Sequence, residues 1–186
     1  MEQRDTEQLG LVEDNEFLEA FSTDESTIEQ VTLDLARSPL VLLNYAATHY
    51  IQSTSTIFRK RFGIGSTDWR LLVVLFRNPR SSSKDIEGYV RMNKAAISRA
   101  LAVLTDRGFV IYTSAANDER IKIWSLTTSG IQLHNEMLQV SVSIYRHVLY
   151  GLDHQDIEHL RISLNKIAER IASLPEQFPI PSFESK

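Results

Sequence analysis

The 186-residue sequence contains no cysteine. That excludes disulfides, thiolate metal sites and thiol-based redox sensing, and nothing in the chain implies an exported, cross-linked protein. Also missing is any apolar run near the roughly 20 residues that a membrane helix needs. The first residues are acidic and polar, with no basic stretch leading into an apolar core, so the cytoplasm is the expected compartment. There is no P-loop glycine pattern, no H-E-x-x-H, no nucleophile elbow and no G-x-G-x-x-G. Neither catalysis nor a cofactor is expected.

What is present is an ordinary globular composition, 42% apolar and 24% charged, on a chain long enough for one domain with an extension. The formal net charge of −4 is unevenly spread. Residues 1–37 hold 11 acidic against 2 basic side chains, a net of −9, whereas residues 59–122 hold 13 basic against 6 acidic, a net of +7. The acidity is local, and the basic stretch has the sign of a phosphate-binding footprint.

Helix signals organise the chain. In residues 1–37, Ile28, Val31 and Leu35 follow helical spacing, and Ser26 with Glu29 fits a capping box, so part of this acidic extension is expected to be helical. Ser38-Pro39 opens a long helix that Gly63 ends near Phe62. Thr67 is expected to cap a short apolar helix containing Trp69, Leu71, Leu72 and Leu75, which stops before Pro79. Ser81 to Ser83 open a third helix, Lys84 to Val90, and Asn93 caps a fourth, Lys94 to Arg107, ended by Gly108. Phe109–Tyr112 and Arg120–Leu126 read as strands around a turn over 113–119. Two further helices follow, from Thr127 to about Leu149 and from Asp153 to Leu174. In the last, Ile157, Leu160, Leu164, Ile167, Ile171 and Leu174 alternate spacings of 3 and 4, the pattern of a coiled-coil seam.

The order helix, turn, helix, hairpin is that of a winged helix-turn-helix, whose second helix lies in the major groove. The expected fold is therefore mainly α with a small β wing. The expected organisation is an acidic extension over 1–37, helical dimerisation regions over 38–66 and 127–174, a winged DNA-binding lobe over 67–126, and a tail over 175–186. Along the fourth helix Ile97, Leu101 and Leu104 form an apolar stripe, with Lys94, Ala95, Ser98 and Arg99 opposite. Arg99 suits bidentate reading of guanine, Ser98 a phosphate or base, and Ala95 or Ala96 a thymine methyl. In the hairpin, Arg120 is placed for the minor groove with Asp118 nearby to hold its guanidinium, and Lys122 for a phosphate.

The stretch from Thr67 to Gly130 resembles the DNA-binding lobe of the MarR (multiple antibiotic resistance regulator) family. It carries Asn93-Lys-Ala-Ala-Ile-Ser-Arg-Ala-Leu101, then Leu104 and Gly108-Phe-Val, then Asp118-x-Arg120, then Leu126-Thr-Thr-Ser-Gly130. Helix order and length extend the resemblance over about residues 38–174. The family often has Ser or Thr where Ala95 and Ala96 stand, and often Arg where Ile111-Tyr112 stand. The resemblance implies a homodimer on palindromic double-stranded DNA, most simply a repressor, released by a small, often aromatic or phenolic acid bound between the dimerisation helices and the DNA lobe. His49, Trp69 and Arg70 lie on the helices that would wall such a pocket. His147, Asp153, His154, Asp156 and His159 match no closed zinc spacing, so no metal is expected. Two other readings stay open at the level of sequence. One is a winged-helix module that binds protein. The other is a small-molecule-binding dimer without DNA recognition. For the extension, the readings are a solvated or interface-padding segment, or a carboxylate cluster that competes with phosphate for the basic lobe.

Overall fold

The computed structural model describes residues 16–21, 30–90, 92–115 and 118–175. The elements in order are β1 (Leu18–Phe21), β2 (Gln30–Leu33), α1 (Pro39–Phe62), α2 (Ser66–Arg77), β3 (Ser81–Ser82), α3 (Ser83–Val90), α4 (Lys94–Asp106), β4 (Val110–Ala115), β5 (Asp118–Leu126), α5 (Thr128–Val148) and α6 (His154–Ala172). The fold is mainly helical with a small antiparallel wing, as the sequence pattern implies. The described residues divide into two compact units, one up to Met137 and one from Leu138 onward. Among them no helix is long and apolar enough to cross a membrane.

The extension departs from expectation. Where helical spacing of Val31 and Leu35 suggests a helix, β1 and β2 pair antiparallel, with Leu18 opposite Leu33 and Ala20 opposite Val31. Residues directly opposite share a face, so Leu18, Ala20, Val31 and Leu33 form an apolar face and Glu19 and Thr32 lie on the other. The period-two alternation in these short segments wins over the 3.6-residue pattern. Ser26 and Glu29 lie outside the described residues. The ribbon is tied to α1 by a tight turn in which the Asp34 carboxylate accepts the Ala36 and Arg37 N–H groups (2.9 and 3.0 Å).

Helix α1 begins at Pro39, whose missing N–H is no loss at a first-turn position. Ser38 occupies the N-cap but makes no side-chain cap bond, and it is buried. Gly63 ends the helix at φ 74°. A Cβ there would stand 2.7 Å from the Arg107 guanidinium nitrogens, one of which donates to the Phe62 carbonyl (3.3 Å). The cap of α2 also differs from expectation. Gly65 rather than Thr67 is the N-cap, and the Asp68 carboxylate accepts the Gly65 N–H at 2.8 Å. Ser66 then shares a buried hydrogen bond with Thr54 (2.7 Å) and donates its N–H to the Ser55 hydroxyl (3.2 Å), which fixes α2 on α1.

The core of the first unit comprises Phe58, Leu71, Leu72, Leu75, Ile86, Ile97, Leu101, Leu104 and Val110, each at most 2% exposed. Burying a side chain of this size is worth about 1.5–3 kcal/mol. Three antiparallel strands in the order β3-β5-β4 lie against these helices. The two wing strands run further toward the tip than the sequence suggests, over Val110–Ala115 and Asp118–Leu126. The start of α5 is pinned to the end of α4: Thr127 and Ser129 hydroxyls donate to the Gly108 carbonyl (2.7 and 3.0 Å), and the Thr127 N–H donates to the Phe109 carbonyl (3.0 Å). A Cβ on Gly130 would fall 2.0 Å from that Phe109 oxygen, so only glycine fits. In the second unit, α6 opens on a reciprocal capping box between Asp153 and Asp156 and buries no residue. Its Arg161 donates to Glu158 (3.0 Å), the one ion pair among the described residues, and this hydrogen bond holds the Glu158 carboxyl below its usual value.

Candidate nucleic-acid interface

Helix α4 is fixed at its start by Asn93, whose side-chain oxygen accepts the Ala96 N–H at 2.8 Å. Ile97, Ala100, Leu101 and Leu104 are buried. Lys94, Ala95, Ser98, Arg99 and Ala102 are exposed and Ala96 is half-buried, so the polar and small residues line the side facing away from the core. This is the two-faced arrangement that a groove-reading helix requires: one side anchored, the other free of bulk. Helix α3, which precedes it, is capped by Ser82. The Ser82 hydroxyl lies 2.7 Å from the Asp85 carboxylate and its N–H donates to the same group at 2.9 Å. Those two bonds, the hydroxyl first, hold the Asp85 carboxyl below its usual range.

Lys94, Ser98 and Arg99 sit on one helix and Asp118, Arg120 and Lys122 on one strand, β5. Asp118 does not grip the Arg120 guanidinium. Its carboxylate instead accepts the Arg120 backbone N–H at 2.9 Å, so its job is to shape the tip of the wing. Arg120 is exposed and extends from that tip with no carboxylate partner among the described residues. Lys122 is more constrained: its ammonium lies 4.1 Å from the Tyr112 ring centre and 5.6 Å from that of Trp124. Between α4 and the wing lies a cavity of about 620 Å³ into which Lys94, Ser98, Tyr112, Lys122 and Trp124 face. A smaller one of about 220 Å³ lies on the other flank of α4, beside Arg99 and Arg59.

The residues expected to wall a ligand pocket are not gathered in the same way. His49 and Arg70 are exposed. Trp69 is half-buried and its faces are already occupied: Phe58 tilts against it at 6.2 Å and His134 stacks on it at 5.3 Å. His134, on α5, is buried and stacks on Phe76 as well, at 3.9 Å and 6° between planes. Nothing in the sequence pattern singles out His134, because the sandwich exists only once α5 has folded back on α2. The pairing of Tyr112 with Trp124 carries no sequence signal for a related reason, since it depends on a cross-strand register that short segments do not declare. Among the described residues no group of three or more His, Asp or Glu is placed to hold a metal ion.

The architecture, a helix pair with an anchored second helix flanked by a β wing, defines the winged helix-turn-helix class. Residues 62–121 match the family model for the MarR family. A MarR/EmrR family transcriptional regulator from Acinetobacter sp. ADP1 superimposes with a TM-score of 0.69 at 24% identity, over 75% of this chain and 99% of its own. The PcaV regulator of Streptomyces coelicolor, solved with its natural ligand, gives 0.67 at 17% identity over 76% and 99%. MepR of S. aureus, solved with DNA, gives 0.66 at 19% identity over 72% and 98%. No curated protein sequence matches the chain significantly. Residues 62–121 are thus similar to the MarR family, and the fold is that of a winged helix-turn-helix.

Proposed function

We propose that the chain is a sequence-specific DNA-binding repressor that acts in the cytoplasm as a homodimer on a palindromic operator. The observation that carries this reading is α4 itself, whose buried stripe leaves Lys94, Ser98 and Arg99 presented together beside the wing that bears Arg120. Arg99 reads guanine in the major groove, Ala95 and Ala96 let the helix approach a thymine methyl, and Arg120 enters the minor groove at the wing. MepR, similar in fold, was solved on DNA. Dimerisation is supported by α6, whose seam residues Leu160 and Leu164 are 44% and 37% exposed although their spacing is that of a packed helix pair. The division of labour is a DNA lobe over 67–126 and dimerisation regions over 38–66 and 127–174.

PcaV was solved with a ligand, and a small aromatic acid that releases DNA is the corresponding proposal here. Arg70 and His49 are its polar contacts, reached from the exposed side of α1 and α2 rather than through the occupied face of Trp69.

Fluorescence anisotropy against operator DNA, with scrambled competitor and at two salt concentrations, tests the central claim. Arg99→Ala should cost about 1–3 kcal/mol and relax base preference at one position. If Arg99→Ala and Arg120→Ala both hold operator as tightly as the unaltered chain, the assignment of the reading residues is wrong.

A further inference from the structure

We propose that the cleft between α4 and the wing is a phosphate-binding subsite, in which Tyr112 and Trp124 hold the Lys122 ammonium ready for one phosphodiester of the DNA backbone. The inference rests on the DNA-binding reading and assigns a binding role to two aromatic residues outside it.

A lysine on an exposed strand ordinarily samples many rotamers, and freezing them opposes binding. Lys122 is held instead, with its ammonium 4.1 Å from the Tyr112 ring centre and 5.6 Å from that of Trp124. Both distances fall within the range in which a ring's negative face attracts a cation. A carboxylate would hold the ammonium equally well but would also cancel its charge. Two rings localise it and leave the charge, with its three N–H donors, for an incoming anion.

The platform is itself rigid. Tyr112 and Trp124 are cross-strand partners with ring centres 5.0 Å apart and planes inclined by 57°. Trp124 is only 7% exposed, and its indole N–H donates to the Ser83 hydroxyl at 3.1 Å, which ties the platform to the start of α3. Across the cleft α4 contributes Lys94 and the Ser98 hydroxyl, a second cation and a neutral donor, to the same cavity of about 620 Å³. The one carboxylate on its lining is Asp106. It lies at the far end of α4, about 18 Å from Lys94 at 1.5 Å per residue, and neither lysine forms an ion pair among the described residues. Lys94 and Ser98 belong both to this cleft and to the exposed face of α4, so an anion bound here is contiguous with whatever that face reads. A backbone phosphate beside a groove-reading helix meets that condition.

The test is DNA binding by the full chain across a salt series, with Lys122→Ala, Tyr112→Leu, Tyr112→Phe and the double variant Tyr112→Leu/Lys122→Ala. Lys122→Ala should weaken operator and scrambled DNA alike and lower the salt slope by about one. Tyr112→Leu should lose about two- to fivefold in affinity, the scale of one exposed cation–π contact. The double variant should be no weaker than Lys122→Ala alone, because the ring acts only through the ammonium. Tyr112→Phe, which keeps the ring face, should bind as the unaltered chain does. Additive losses, or an unchanged slope in Lys122→Ala, would overturn the subsite while leaving the DNA reading intact. If Lys122→Ala leaves the slope unchanged but abolishes binding of benzoate, the cleft is a small-acid site instead. Failure of the unaltered chain to bind any DNA would overturn the DNA reading and this inference together.

Discussion

Helices α4 and α6 are both well capped and both amphipathic, yet α4 buries four of its 13 residues and α6 none of its 19. Asn93 closes the first turn of one, and the Asp153–Asp156 pair closes that of the other. Local sequence therefore specifies the two helices equally well. What separates them is the destination of the apolar stripe. Ile97, Leu101 and Leu104 are buried in the lobe, where α4 packs on α2, whereas Ile157, Leu160 and Leu164 keep much of their surface in water. An apolar stripe shows that something must cover it; only the structure shows whether the chain covers it by itself.

The contrast can be broken or sharpened by experiment. Its largest expected effect is in the lobe: Leu104→Ala removes a fully buried side chain and should cost about 2–5 kcal/mol in urea unfolding. The equivalent truncation Leu164→Ala, measured on dilute protein, should cost well under half as much, and equal losses would erase the contrast. Next is Gly130→Ala, which forces a methyl onto the Phe109 carbonyl and should cost about 1–3 kcal/mol as an overpacked site. A drop in thermal midpoint is the readout. Leu160→Asp with Leu164→Asp should leave the thermal unfolding of the lobe unchanged and convert the proposed dimer to monomer in sedimentation. A dimer that persisted would move the interface away from α6. Smaller is Asp153→Ala, where loss of the cap should cost about 1 kcal/mol or less of helicity in α6.

The smallest effect is electrostatic. Asp85 in the lobe and Glu158 in α6 both have lowered carboxyl pKa values, from their hydrogen bonds to Ser82 and Arg161 respectively. A lowered folded value means stability that is present above the ordinary values of 3.8 and 4.5 and is lost as pH falls through the lowered ones. Both groups are exposed, so water screens the effect. Asp85→Asn and Glu158→Gln should each flatten only the acid limb of the stability profile, and a change near neutral pH would contradict the assignment.

Much of the helical frame was legible beforehand because its signals are local. Pro39, Gly63, Asn93 and Gly108 each punctuate the backbone within a few residues, and both glycines adopt positive φ. The features that were not legible depend on partners distant in sequence. Ser81–Ser82 has no strand character of its own and becomes β3 only by pairing with Trp124 and Ile123. The β1–β2 ribbon resembled a helix because four-residue segments satisfy either period. Of the candidate site, the exposed face of α4 was legible from helical spacing alone. The stacking around Lys122 and His134 was not, because it requires β4 to lie on β5 and α5 on α2 in one register.

The junction at Thr127 to Gly130 has a mechanical meaning. Three hydrogen bonds and one forbidden methyl leave no slack between the first turn of α5 and the end of α4. The two helices behave there as the arms of a crank, so a rotation imposed on the first turn of α5 reaches α4 as a change of pitch instead of dissipating in a loop.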